Sequence, residues 1–281
     1  MLFIDSLSLD ADASKTLVEM QGLIDGMSTY PEQVNKAKAL WDAKLSSAKR
    51  KSAFRKVRDT LAKMCVGSVR CSYCEDSLAD EIEHIAPKSL FPELTFLWVN
   101  YLFSCGPCNG PKSSRHGIVV GNLVQEFVRD KAGVITPPPR GVTALINPRS
   151  ENPAQYLELD LGGVTPTGDI VEGTFEFVPK IGLSASDAAR AQYTIVVLGL
   201  NREVIRAARE NAFGGFRARL REYLYAKNHG ESNEGLIALA KGILSAPHLT
   251  VFDEMRRQKQ WLPQIDRILS DAPEIMYWRV F

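Results

Sequence analysis

Cys71-Ser-Tyr-Cys74, Asp80-Glu-Ile-Glu-His-Ile-Ala-Pro-Lys-Ser89 and Cys105-Gly-Pro-Cys108-Asn-Gly-Pro-Lys112 fall in one short segment of a 281-residue chain. The two Cys-x-x-Cys pairs are thirty residues apart. Two residues between thiolates, with a Gly-Pro turn in the second pair, let both sulfurs of a pair reach one tetrahedral ion at about 2.3 Å. The gap exceeds the usual zinc-ribbon spacing, so a folded insert is expected between the knuckles. Cys71, Cys74, Cys105 and Cys108 leave no open position on Zn²⁺, which predicts a structural ion that contributes folding energy. Five cysteines is an odd number, and in a reducing compartment this pattern favours metal over disulfides. A redox Cys-x-x-Cys would explain one pair but not both. Cys65, left over, reads as a small buried hydrophobe.

Inside the insert, His84 is the only histidine of the cysteine span, and an ordinary imidazole is mostly neutral and able to accept a proton near pH 7. Glu83 and Asn109 offer hard oxygens of the kind Mg²⁺ prefers. Lys112, one helical turn past Asn109, is expected to aim at a phosphate. A base, a divalent ion and a cation for the backbone are what hydrolysis of a phosphodiester requires. Lys88 and His116 read first as solvated side chains, with substrate contact as the alternative, Lys88 toward a phosphate. Phe91, Phe96, Trp98 and Phe103 read as the insert's own core rather than as base-stacking platforms.

With Glu83-His84-Ile85-x-Pro87, Asn100 and Asn109-x-x-Lys112 framed by two knuckles, the segment resembles the HNH (ββα-metal) endonucleases. The resemblance implies His84 as general base, and Glu83 and Asn109 as ligands of a catalytic Mg²⁺ or Mn²⁺. It implies that Asn100 organises the loop between two strands, near Ile82–Ile85 and Leu102–Ser104, with a helix opening near Asn109. Many members carry Asp where Glu83 stands; the extra methylene requires another rotamer or a displaced ion.

Outward from this core, three regions are expected: a helical region 1–64, the zinc-stapled core 65–128, and a region 141–281 of β-hairpin and helices. The fold class expected is α+β, with a small ββα-metal core in a mainly helical chain. Val34, Ala37, Leu40, Trp41 and Leu45, after Pro31, recur at helical spacing, as do Phe54, Val57, Leu61 and Met64. From Lys44 to Arg70 there are nine Lys or Arg against Asp59 alone, a face that either tracks a phosphate backbone or is simply solvated. Thr136-Pro-Pro-Pro-Arg-Gly141 reads as a stiff connector. Tyr156–Asp160 and Thr174–Val178 alternate as strands. Ser184 or Ser186 is a candidate N-cap, Asn201 with Arg202 and Glu203 a candidate helix start, and Pro263 a kink or split in the last helical stretch.

Hydrophobic residues make up 45% of the chain and charged ones 24%, with a net charge of +1. That is an ordinary globular composition with no global pull toward nucleic acid. The N-terminus lacks the basic and apolar regions of a signal peptide, and no apolar run approaches the ~20 residues of a membrane span. A cytoplasmic protein with no membrane partner is expected.

Cys-x-Tyr-Cys-Glu, Glu-His-Ile-x-Pro-Lys-Ser-x-Phe-Pro, Trp-x-Asn, Leu145-Ile-Asn-Pro148 and Ala191–Asn201 followed by Arg206 or Arg209 resemble, in that order, the HNH subunits of Septu-type and retron-associated anti-phage systems. That likeness implies a partner ATPase of the SMC/ABC class, a nucleic-acid substrate (DNA first, RNA second) and a role in antiviral defence. The alternatives are an HNH nuclease of a restriction or toxin system, or a zinc-ribbon module that binds nucleic acid without cutting it.

Overall fold

The computed structural model describes residues 1–76, 78–129 and 133–279. Three helices come first. α1 (Ala11–Asp25) starts at Asp10, whose carboxylate accepts from Asp12 N and Ala13 N. α2 (Tyr30–Asp42) opens on a Thr29–Glu32 capping box with Pro31 in its first turn, and α3 (Ala48–Lys63) is capped by Ser47. Short polar side chains satisfy the free N–H groups at each start. Leu17, Met20 and Ile24, then Val34, Ala37 and Leu40, then Phe54, Val57 and Leu61 are buried, each set at the three-to-four-residue spacing of one helix face.

β1 (Glu81–His84) and β2 (Tyr101–Ser104) pair antiparallel, with Glu81 opposite Ser104 and His84 opposite Tyr101. α4 (Gly106–Lys112) follows at once, opening three residues earlier than expected because Pro107 sits in its first turn. Next comes a hairpin that no sequence pattern announced, β3 (His116–Val120) with β4 (Leu123–Phe127). Here Gly117 is required for space: a Cβ would come within 2.7 Å of Val124 and 2.9 Å of the Tyr193 ring.

The alternating segments supply one short ladder, and the stretch between them forms a second that alternation did not show. β5 (Leu157–Leu159) pairs with β8 (Phe177–Pro179), and β6 (Gly162–Val164) with β7 (Ile170–Glu172) lies between them in sequence. α5 (Ala185–Leu198) is capped by Ser184 and ends on Gly199 at φ 57°, the left-handed conformation glycine adopts without penalty. α6 (Glu203–Asn228), α7 (Asn233–Leu244), α8 (Leu249–Arg257) and α9 (Pro263–Asp271) complete the chain. α6 opens in the expected stretch, at Glu203 with Arg202 as N-cap, directly after Asn201. The Asn201 amide bonds Phe177 N and O and ties α5 to β8. Pro263 is the first residue of α9, so it splits the last stretch rather than bending it. The fold is mixed, with nine helices and four two-stranded sheets among the described residues. No single helix among them is long and apolar enough to cross a membrane; α7 and α8 pass such a test only as a pair bent by 106°.

One contiguous apolar core runs through all three stretches, from Ile4 and Leu17 through Phe96 and Leu102 to Ile146, Leu198 and Phe252. A buried cation reinforces the joint. Arg149 donates to Trp98 O at 2.6 Å and Tyr101 O at 2.9 Å, lies over the Trp98 ring, and bonds Ser6 Oγ. Burial pulls its pKa down to about 10, which still leaves it charged. Its own segment is anchored by Arg190, bonded twice to Glu151, and by Thr194, which accepts from Ile146 N. Replacing Arg149 by Leu takes the donor from Tyr101 O, while Trp98 O keeps the Tyr101 N–H. A drop of about 1–3 kcal/mol in stability is expected from Arg149→Leu, read as a lower urea midpoint. An unchanged midpoint would show that Arg149 contributes nothing to this joint.

Candidate functional site

The turn after α3 carries Cys71 and Cys74, and the β2–α4 junction carries Cys105 and Cys108. Ser72 N donates to Phe103 O at 3.0 Å, which fastens the first knuckle to β2. Asn109 N and Cys108 N both donate to Cys105 O, which closes the second knuckle into the first turn of α4. All four sulfurs are buried and within 4.8 Å of one another. The Cys74–Cys105 separation is 3.8 Å, about the edge of a tetrahedron whose centre lies about 2.3 Å from each corner. The donor set and its geometry suit a structural zinc ion. Arg202, preceding α6, donates to Pro107 O at 2.8 Å and to Cys108 Sγ at 3.5 Å. Cys65 stands apart and half-buried, its thiol against Leu61 O.

His84 closes β1 and is only 5% exposed. Its Nε2 lies 3.0 Å from Thr95 O. A carbonyl can only accept, so Nε2 carries the proton and the lone pair of the neutral ring is on Nδ1. Burial, joined by the charge of Lys88, pulls its pKa down to about 3, so the ring is neutral. Trp41 of α2 meets it edge-on at 4.3 Å and Tyr101 at 5.2 Å.

Asn100 is buried just before β2 and makes three bonds. Its Oδ1 accepts from Ala86 N at 2.8 Å, and its Nδ2 donates to Ala86 O and Leu94 O, each at 3.0 Å. The loop that leaves His84 is thereby held against the loop that carries Thr95.

Glu83 and Lys112 are together. Both are buried, Lys112 completely, and they form an ion pair in which the ammonium also donates to His84 O at 2.8 Å. Burial raises the Glu83 carboxyl while Lys112 opposes it. Lys112 is therefore turned inward onto β1, not outward as a surface contact. Asn109 is apart from this pair: its Nδ2 donates to Glu81 Oε2 at 2.6 Å. Side chains two apart on a strand share a face, so Glu81 and Glu83 both lie on the side of β1 that α4 covers.

Lys88 is half-buried with its ammonium 5.5 Å from the Trp41 ring centroid. His116 is buried at the start of β3, edge-on to Phe91 at 4.8 Å, rather than solvated. Phe96 and Phe103 are core, with Phe91 and Trp98 half-buried beside them. The basic run after α2 is partly neutralised: Lys49 pairs with Glu19, and Lys56 with Asp10 and Asp12. Three participants escaped the sequence reading of the site. Glu81 was legible in the Glu-Ile-Glu alternation. Trp41 and the Thr95 carbonyl reach the site only through tertiary packing.

Over 59 residues the chain is 39% identical to a Septu protein, PtuB, of Bacillus thuringiensis; the match takes in 19% of this chain and 23% of that protein. The chain thus matches less than a quarter of that relative's length. No family model matches, and no solved structure does.

The cysteine cluster predicts about one zinc per purified chain, counted by elemental analysis. Cys74→Ser should remove it and lower the thermal midpoint sharply, because binding energy of this kind is folding energy. Cys65→Ser should leave the zinc content unchanged; zinc lost with Cys65 instead would refute the assignment.

Proposed function

We propose that the chain is a metal-dependent endonuclease of the HNH type, with His84 as its general base. The observation that carries this is the fixed tautomer of His84. Its Nε2 is committed to Thr95 O at 3.0 Å, so Nδ1 is the atom that takes a proton. In the reaction, a water oxygen attacks phosphorus, its proton passes to His84 Nδ1, and the bond to the leaving ribose oxygen breaks. Asn100 keeps the two loops of the base in register through its bonds to Ala86 and Leu94.

The oxygens near α4 are of the hard kind that a divalent ion prefers. Glu83 is buried with its Oε1 paired to the Lys112 ammonium, and the Asn109 carboxamide adjoins Glu81. Glu83 and Asn109 would hold Mg²⁺ or Mn²⁺, with Asn109 oriented by Glu81 and most ligands left to water and phosphate. When bound, such an ion neutralises charge on the phosphate and the leaving oxygen. Lys112, which neutralises Glu83, sets the charge of this ligand set, and substrate contact is left to other cations.

The biological setting we infer is anti-phage defence, as a nuclease effector working beside an ATPase of the SMC/ABC class, with DNA the first candidate substrate. The limited likeness to a Septu protein supports this. The test uses the purified chain with and without such a partner, on DNA and RNA, in Mg²⁺ and in EDTA. Cleavage should require the divalent ion, and His84→Ala should slow it by at least about 10²-fold while circular dichroism and zinc content stay as in the wild type. Binding without cleavage under every condition would instead favour a non-catalytic zinc module, and full activity in His84→Ala would sink the mechanism.

A further inference from the structure

We propose that Trp41, Lys44 and Lys88 form a cradle for a backbone phosphate of the nucleic-acid strand, next to the phosphate that His84 addresses. The proposal rests on the nuclease reading above and adds to it a binding site that joins Lys88 of the insert to Trp41 and Lys44 at the end of α2.

Two ammonium groups converge on one indole. Lys44 Nζ lies 4.6 Å from the Trp41 ring centroid and Lys88 Nζ 5.5 Å from it, while His84 meets the same ring at 4.3 Å. Neither lysine makes an ion pair among the described residues. The two nearby carboxylates are already taken: Asp42 is held by Lys38 at 2.8 Å and Glu83 by Lys112. Lys44 donates to Trp41 O at 3.4 Å, at the C-terminal end of α2, and keeps its other protons free. Lys88 makes no hydrogen bond within the described chain.

A lysine stem lying on a tryptophan is common, but its head then normally reaches water. Here both side chains are half-buried, and burial pulls both below the usual lysine pKa. The indole face returns only part of that loss of hydration. Two partly desolvated cations without a counter-ion form a site whose electrostatic free energy falls when an anion enters. Its position beside the base selects a phosphate of the same strand. The path continues on α3, where Lys51, Arg55 and Arg58 occur at i, i+4 and i+7. All three are exposed and free of ion pairs among the described residues, and Arg58 lies over Phe103 of β2.

The test is binding of a short fluorescent DNA duplex, and of an RNA strand, to the full-length His84→Ala protein across a salt series. It needs no cleavage, so it is decided separately from the nuclease reading. Lys44→Ala/Lys88→Ala should flatten the slope of log affinity against log salt by about 1. Lys44→Arg/Lys88→Arg should keep the slope, and Lys241→Ala, an exposed lysine on α7, should leave it unaltered. Should the double alanine variant lose its zinc or its helical signal, Lys44→Gln and Lys88→Gln, which retain the stem, should each flatten the slope by about half as much. An unchanged slope in the lysine variants, an equal change from Lys241→Ala, or no binding by the His84→Ala protein would overturn the cradle, whatever the cleavage assay returns.

Discussion

Four sulfurs from two distant turns meet behind a two-stranded ladder, and the rest of the site depends on that meeting. A ladder of four residues per strand is too short to hold its register in water. Cys71–Cys74 lies just before β1 and Cys105–Cys108 just after β2, so an ion at the cluster closes the insert at its neck. Ser72 bonds β2 from one knuckle, and α4 starts from the other. Closing a thirty-residue insert removes much of its unfolded-state entropy. The direction of β1, and with it the faces on which Glu83 and His84 fall, follows from this closure.

His84 is then placed by residues far from the cysteines in sequence. The loop that carries the Thr95 carbonyl is held from α1: Gln21 donates to Pro92 O at 3.2 Å and accepts from Phe96 N at 2.9 Å, on either side of Thr95. Tyr30, at the start of α2, donates to Leu90 O at 2.9 Å. The helices that precede the first knuckle therefore do more than cover the insert. They fix the acceptor that decides which nitrogen of His84 keeps its proton. Burying this histidine beside the Glu83–Lys112 pair is costly, since each ion loses hydration. The arrangement persists because each charge has a specific partner and the imidazole remains neutral.

Legibility followed the range of the interaction. While β1 and β2 were expected only from the family resemblance, the cysteine knuckles and the periodic helices α2 and α3 could be read because spacing and periodicity are local properties of the chain. Ser184 at the start of α5 and the split at Pro263 were open to reading for the same reason. Lys112 shows the opposite case. Its position one turn beyond Asn109 suggested an outward cation, yet strand alternation places Glu83 under α4, and a lysine stem reaches it at lower cost than an unpaired buried carboxylate would incur. Asn109 likewise faces Glu81, a choice made by packing of α4 on β1. The β3–β4 hairpin and the contribution of Trp41 were hidden because both depend on partners from other regions, Tyr193 in one case and His84 in the other.

The C-terminal helices have an electrostatic tie to the same neck. Four thiolates around one Zn²⁺ carry a net negative charge, and such a cluster is stabilised by donors aimed at its sulfurs. Arg202 supplies one, at 3.5 Å from Cys108 Sγ, while its other bonds to Pro107 O and Leu198 O clamp the second knuckle to the end of α5. Arg209, one further turn or two along α6, is buried with Phe175 O as its acceptor and the Phe177 ring beneath it. Glu75, directly after Cys74, accepts from Thr250 N at 2.9 Å on α8. Residues on both sides of the cluster are thus bonded to the last third of the chain. An ion held by the four sulfurs would therefore constrain α6 and α8 as well as the ladder, which ties the cluster to the packing of the C-terminal helices.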